Sequence, residues 1–292
     1  MSLEIQNQPL AAGTTPAAPV WPQKVDLFGV GVSVTTYDEA VELVLDAAAR
    51  RQSAVVACQA VHAVVTASRD AALREMVNAF ELVTPDGQPV RWAMNLLHGA
   101  GLLQRVYGPE LMHRICRGAA ERGTAIYLYG GTPAVLDKLQ ANQVAAFPKL
   151  RIAGAESPPF RALTEAEDRA VVDRIEASGA GVVFIGLGCP KQDRFAHAHR
   201  GTIRAVQLCV GAAFDFHAGV KPMAPEWMQR HGLEWLFRLA QEPRRLWRRY
   251  LVTNSLFLAM LAAAWLRSWR IARSSGAPRS MGTVSGSNVS AS

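Results

Sequence analysis

The residues best suited to chemistry fall in a few short segments. Gly186-Leu187-Gly188-Cys189-Pro190-Lys191-Gln192 is the most informative. Its two glycines allow close backbone approach, and proline suits the first turn of a helix. Lys191, one of only five lysines, can neutralise a phosphate, or it is simply an exposed first-turn lysine. Gln192 can both donate and accept hydrogen bonds, as sugar hydroxyls require. Gly130-Gly131-Thr132-Pro133 reads either as a tight strand–helix turn or as a helix N-terminus offering backbone N–H groups to a phosphate. Asp86, between Pro85 and Gly87, is a turn aspartate or a carboxylate general base. Arg91 and Arg105 follow it and can bind an anion. Asp215 lies between Phe214 and Phe216, as a second functional acid or a local backbone cap.

Other chemistries lack their residues. His62, His197, His199 and His217 do not have metal-ligand spacing, and there is no HxxxH or DxD, so no metal is expected. Neither GxSxG nor GxxxxGK[ST] occurs, which argues against a hydrolase elbow and a P-loop. Gly29-Val30-Gly31 lacks the third glycine of a dinucleotide loop, because position 34 is Val. It also sits within an apolar run and not at a strand–helix turn, which argues against NAD- or SAM-type binding.

These segments need elements to hold them. Val25–Val34 reads as one strand. Thr36 and Glu39 form a capping box ahead of a helix with mostly 3.6-residue spacing. Strands are expected at Ser53–Ala57 and Glu81–Thr84, with a helix over Asp70–Phe80 between them. The alternation then becomes regular. Strands are expected at Thr124–Tyr129, Leu150–Ala153, Gly181–Ile185 and Ile203–Val210. Helices are expected at Pro133–Ala146, Thr164–Ser178 (with a Thr164/Glu167 capping box) and Pro190–His199. Short apolar strands alternating with helices imply an α/β, Rossmann-like, mostly parallel sheet with helices on both faces. Sites in such sheets lie at the carboxyl ends of the strands, where Asp86, Gly130-Gly131, Gly186–Gln192 and Asp215 fall.

The 292 residues are half apolar and 19% charged, which excludes a disordered chain. Four widely spaced cysteines without a CxxC pair exclude a disulfide scaffold and fit a reducing compartment. The net charge of +7 is localised: eight arginines and no acid follow Glu242, leaving residues 1–242 at −1. Residues 1–24 read as a flexible arm without a secretory signal, residues 25–242 as the α/β domain, and residues 274–292 as a disordered tail. Residues 243–273 read as a basic helical membrane-binding appendage. Arg244, Arg245, Arg248 and Arg249 are expected to form one basic face, and Trp247, Tyr250, Leu251, Leu258, Leu261 and Trp265 an apolar one. Five of the seven tryptophans lie between Trp227 and Trp269, as at a lipid headgroup interface. An anionic membrane is therefore the expected partner in preference to nucleic acid, with packing on a second copy as the alternative.

Leu82–Gly87, Arg105-Val106-Tyr107-Gly108, Leu128–Pro133, Gly186–Asp193, Val210–Gly219 and Ala224–Asn254, in that order, resemble the WecG/TagA/CpsF family of bacterial glycosyltransferases over about Val25–Phe257. The resemblance implies an inverting, metal-independent transferase without a cofactor. Such an enzyme moves a hexose or N-acetylhexosamine-type sugar, N-acetylmannosamine type favoured, from a UDP donor to a polyprenyl-diphosphate-linked sugar. It implies a peripheral position on the cytoplasmic membrane face, in cell-envelope or exopolysaccharide synthesis. It assigns the base to Asp86, and substrate contacts to Arg105 and Gln192. A family asparagine corresponds to Gln59, whose side chain is one methylene longer. The C-terminal arginines are implicated in membrane contact and in completing the site. Gly130, Gly131, Gly186, Lys191 and Asp215 complete the expected substrate-binding set. The alternatives are a non-catalytic subunit that binds lipid-linked sugar or, within the family, a UDP-glucose or UDP-uronic-acid transferase.

Overall fold

The computed structural model describes residues 19–274. Most of the expected N-terminal arm and the Ser/Gly-rich stretch after Ser274 lie outside the described residues. Lys24–Leu27 (β1) and Val30–Ser33 (β2) pair antiparallel, so the single strand expected over Val25–Val34 is a hairpin. Phe28 and Gly29 turn the chain with φ of +63° and +88°, the sign that a tight two-residue hairpin turn demands. The Phe28 ring packs edge-on to Phe257, 5.3 Å between centroids, which helps hold a non-glycine residue in this disfavoured region.

The chain continues through Tyr37–Ala49 (α1), Ala54–Gln59 (β3), Val61–Arg69 (α2), Ala71–Asn78 (α3), Leu82–Pro85 (β4), Gln88–His98 (α4) and Gly108–Arg122 (α5). Next come Ala125–Gly130 (β5), Pro133–Ala146 (α6), Arg151–Glu156 (β6), Glu165–Ala177 (α7), Val182–Gly186 (β7), Lys191–Ala198 (α8) and Val206–Cys209 (β8). Four helices close the described chain: Ala213–His217 (α9), Glu226–Arg230 (α10), Glu234–Gln241 (α11) and Pro243–Ser274 (α12). The capping box of α7 is complete. That of α1 is half made: Thr36 accepts from Glu39 N–H, but the Glu39 carboxylate accepts from the Thr35 hydroxyl at 2.8 Å.

β3 to β8 form one parallel sheet in the order β4-β3-β8-β7-β5-β6. Side chains alternate between its faces. Ala54, Val56, Val182 and Phe184 pack toward α1, α5, α6 and α9. Val55, Ala57, Val183 and Ile185 pack toward α2, α3, α4, α7, α8 and the hairpin. Both faces are covered, which explains why the strands read as continuous apolar runs.

Helix α12 packs on α2, α4 and α11. Leu246, Thr253 and Phe257 are buried on its inner side. Removing Phe257 from water contributes about 1.5–3 kcal/mol to this docking. The outer side exposes Trp247, Leu251, Leu258 and Trp265. Tyr250 and Leu261, expected on that outer face, are half-buried instead. Tyr250 meets the Trp235 ring edge-on at 6.1 Å. The stretch Pro243–Arg270 is long and apolar enough to cross a membrane by length and composition.

Candidate active site

A parallel sheet brings the loops after its strands to one edge. The loops following β3, β4, β5, β7 and β8 open into a single cleft of about 1980 Å³, with α11 and α12 forming the facing wall. One small-ligand site typically occupies ~300–1,000 Å³, so the cleft has room for two substrates.

Asp86 lines this cleft at the end of β4. Its backbone N–H donates to the Gln59 carbonyl at 3.3 Å. Its Oδ2 accepts the Gly108 N–H at 2.8 Å. A Cβ on Gly108 would stand 3.2 Å from that oxygen, so glycine permits the first turn of α5 to close on the carboxylate. Burial pushes the Asp86 carboxyl above its usual range, and nearby Arg105 opposes this without cancelling it.

Arg105 is buried and held from three sides. It donates to Glu234 Oε2 at 2.8 Å and to Gln229 Oε1 at 3.0 Å, and its guanidinium lies 4.0 Å from the Tyr107 ring centroid. Glu234 Oε1 accepts from the Tyr107 hydroxyl at 2.9 Å and pairs with Arg238 at 2.7 Å. Burial alone would raise the Glu234 carboxyl. Arg238 and Arg105 outweigh it and hold the group below its usual range. This buried network ties α11 to the loop that carries Arg105.

The glycine segments meet at the centre of the sheet edge. Gly130 has φ +127°, and a Cβ there would lie 2.6 Å from the Gly186 backbone, so β5 and β7 close up only as glycines. The Gly131 N–H donates to the Gly186 carbonyl at 3.3 Å. The Gly188 N–H donates to Gln192 Oε1 at 3.1 Å. These two donors are spent within the loops, while Lys191 is exposed on the cleft wall. Asp215 pairs with Lys221 at 2.9 Å, and Lys221 also reaches Glu242 at 3.2 Å.

The cleft thus gathers Asp86, Arg105, Gly131, Gly186, Lys191, Gln192 and Asp215. Gly130 and Gln59 lie just behind its wall. Gln59 is 2% exposed, and its amide donates to Asp193 Oδ1 at 3.3 Å. Arg91 is turned away, bound to the carbonyls of Leu102 and Leu103. The C-terminal arginines do not form the one face expected of them. Arg245 and Arg249 line the cleft, whereas Arg244 and Arg248 are exposed outside it. Arg249 lies near His62, whose pKa is lowered to about 4 by burial and then by that guanidinium. Among the described residues, no group of three or more His, Cys, Asp or Glu is placed to hold a metal ion.

The sequence profile of the glycosyl transferase WecG/TagA/CpsF family matches residues 25–271. The chain belongs to this family. As a WecG/TagA/CpsF glycosyltransferase it has the α/β sheet that its sequence implied, and the match runs on through most of α12. Tyr107, Lys221, Glu234 and Arg238 were not singled out from sequence. Glu234 and Arg238 look there like an ordinary i,i+4 surface pair, and only the docking of α11 buries them. Tyr107 and Lys221 stood inside or beside quoted segments, with no signal of their own.

Proposed function

We propose that the chain is an inverting, metal-independent glycosyltransferase. It transfers a hexose or N-acetylhexosamine-type sugar, N-acetylmannosamine type favoured, from a UDP-sugar to a polyprenyl-diphosphate-linked sugar during envelope or exopolysaccharide synthesis. The observation that carries this reading is Asp86. Its carboxylate is fixed through Oδ2 on the cleft wall, raised in pKa, and set beside a buried arginine.

In this mechanism an acceptor hydroxyl attacks the anomeric carbon as Asp86 Oδ1 takes its proton. The bond from that carbon to the donor phosphate oxygen breaks, and its electron pair leaves with UDP. Asp86 then returns its proton to solvent. Lys191, Arg245 and Arg249 face the cleft and supply fixed positive charge to the leaving diphosphate. Gln192 and Asp215 are assigned to donor contacts, and Gly130, Gly131 and Gly186 to close backbone approach. Gln59 acts from behind the wall.

Purified full-length protein in detergent, offered a panel of UDP-sugars with a short-chain polyprenyl-diphosphate-sugar acceptor, tests the reading. Release of UDP with one donor is the expected result. UDP binding without turnover of any donor would favour the lipid-linked-sugar-binding subunit instead.

The outward face of α12 is assigned to the anionic cytoplasmic surface of the membrane. Trp247, Leu251, Leu258 and Trp265 would lie in the headgroup region, with Arg244 and Arg248 beside them. Trp247→Asp combined with Leu258→Asp should abolish co-sedimentation with phosphatidylglycerol vesicles. Undiminished sedimentation would refute that assignment.

A further inference from the structure

Beneath the cleft lies a buried acid–amide pair whose acid the mechanism above does not use. Asp193, in the first turn of α8, is fully buried, and Gln59, at the end of β3, is 2% exposed. They share one hydrogen bond, Gln59 Nε2 to Asp193 Oδ1 at 3.3 Å. The remaining polar atom of each side chain, Gln59 Oε1 and Asp193 Oδ2, is buried with no hydrogen-bond partner. Two unsatisfied acceptors on a pair already joined by one bond are costly. A single proton on Asp193 removes both deficits, because a carboxylic acid donates through the oxygen that does not accept.

We propose that Asp193 is a positioning residue that works as a neutral acid. Its Oδ2 proton is donated to Gln59 Oε1 and closes a two-bond ring that joins the start of α8 to the end of β3. The Gln59 carbonyl in turn accepts the Asp86 N–H. On the other side, Gln192, the neighbour of Asp193, accepts the Gly188 N–H. The ring therefore sets the distance between the loop carrying the proposed base and the loop carrying Lys191 and Gln192.

The surroundings favour the neutral form. The titratable groups facing Asp193 are thiols: Cys58 on β3, Cys189 just before α8, and Cys209 on β8. Burial raises all three, so they carry no charge. The charged groups brought to α8 by other elements lie away from Asp193. Asp70, the N-cap of α3, pairs with Arg194, well exposed at the surface. Asp168 of α7 meets His199 at the far end of the helix, while β5 contributes the Tyr129 ring stacked on Phe195. Burial pushes the Asp193 carboxyl up to about 6, even with the Gln59 amide and Cys189 thiol favouring the charged form. A bond donated by its own proton raises it further.

The activity arm of the test rests on the proposed transferase reading; two other arms need no substrate. In infrared spectra of full-length protein held below the Asp193 titration, one protonated carboxyl band should persist in Asp86→Asn and be lost in Asp193→Asn, apart from any band that Asp86 itself contributes. A spectrum unchanged by Asp193→Asn would overturn the proposal. An acid with a raised folded pKa adds stability that is lost as pH rises through that value. The melting temperature of wild type relative to Asp193→Asn should therefore fall as pH rises from the ordinary carboxylate range to about 6 and level off above it; a difference independent of pH would count against the ring. In turnover, asparagine can form both bonds of the ring and should preserve kcat, including at the alkaline pH where wild type declines. Asp193→Leu should lower kcat by about tenfold or more with UDP affinity little changed, as misplacement of a reacting group does. Equal damage from asparagine and leucine would show that a charged carboxylate is required, and the proposal would fail.

Discussion

Asp86→Asn should lower kcat by about 10²–10⁴-fold, the range that a positioned general base contributes. Asparagine keeps the size of the side chain, and its Oδ1 can still accept the Gly108 N–H that now reaches Oδ2. The loop between β4 and α4 should therefore keep its shape, and UDP should bind as before. The pH dependence gives a second readout. The base must be ionised, so turnover in wild type should rise with pH through the Asp86 titration. That limb should lie above the ordinary carboxylate range, because burial raises the group more than Arg105 lowers it. In Asp86→Asn the limb should disappear together with the rate. Single-turnover kinetics across pH, with UDP affinity measured calorimetrically, would check both. Full turnover in this variant would remove Asp86 as the base.

Glu234→Gln should cost about 3–5 kcal/mol of stability, the range for breaking a buried ion pair by removing one partner. Glu234 is the single carboxylate paired with both Arg105 and Arg238, and its side chain is only 12% exposed. Glutamine fills the same space but leaves two guanidinium groups side by side without their shared carboxylate, with only Asp86 nearby to offset them. Arg105 and Tyr107 would lose their shared anchor on α11, so the cleft wall should loosen as well. Equilibrium urea unfolding of the full chain would read the loss. A change below about 1 kcal/mol, the scale of an exposed pair, would show that solvent screens the network.

Much of the architecture is written in local pattern. Thr132-Pro133 opens α6 where expected, and the strand ahead of it, Ala125–Gly130, lies within a residue of its expected bounds. Other elements depend on tertiary contacts. Val61–Arg69 is rich in β-branched residues yet is helical, because its Val64 and Val65 pack on the sheet. Gly108–Arg122 begins with Gly-Pro and contains Gly118, and no element is expected there from sequence. The missing side chain at Gly118 lets Leu45 of α1 approach, since a Cβ would stand 2.4 Å from Leu45 Cδ1. The hairpin escaped notice because Phe28 occupies a backbone conformation usually left to Gly, Asn or Asp. The site divides the same way. Strand-end segments announced Asp86, Lys191 and Gln192. The partners that fix their surroundings include Glu234 and Arg238, from a distant segment, and Asp193, beside Gln192 in the same motif; all three gain their roles only through burial.

The bond from Gly108 to Asp86 bears on the product as well as the rate. With Oδ2 held by the Gly108 N–H, the carboxylate keeps one orientation, and Oδ1 is the oxygen better placed to accept a proton. A sugar acceptor carries several hydroxyls of similar acidity. The one deprotonated is then the one that reaches this oxygen while in line with the anomeric carbon. Under the proposed mechanism, the regiochemistry of the new linkage would then follow from how this one carboxylate is oriented, and a side chain freed to rotate would be expected to yield mixed linkages before it yielded none.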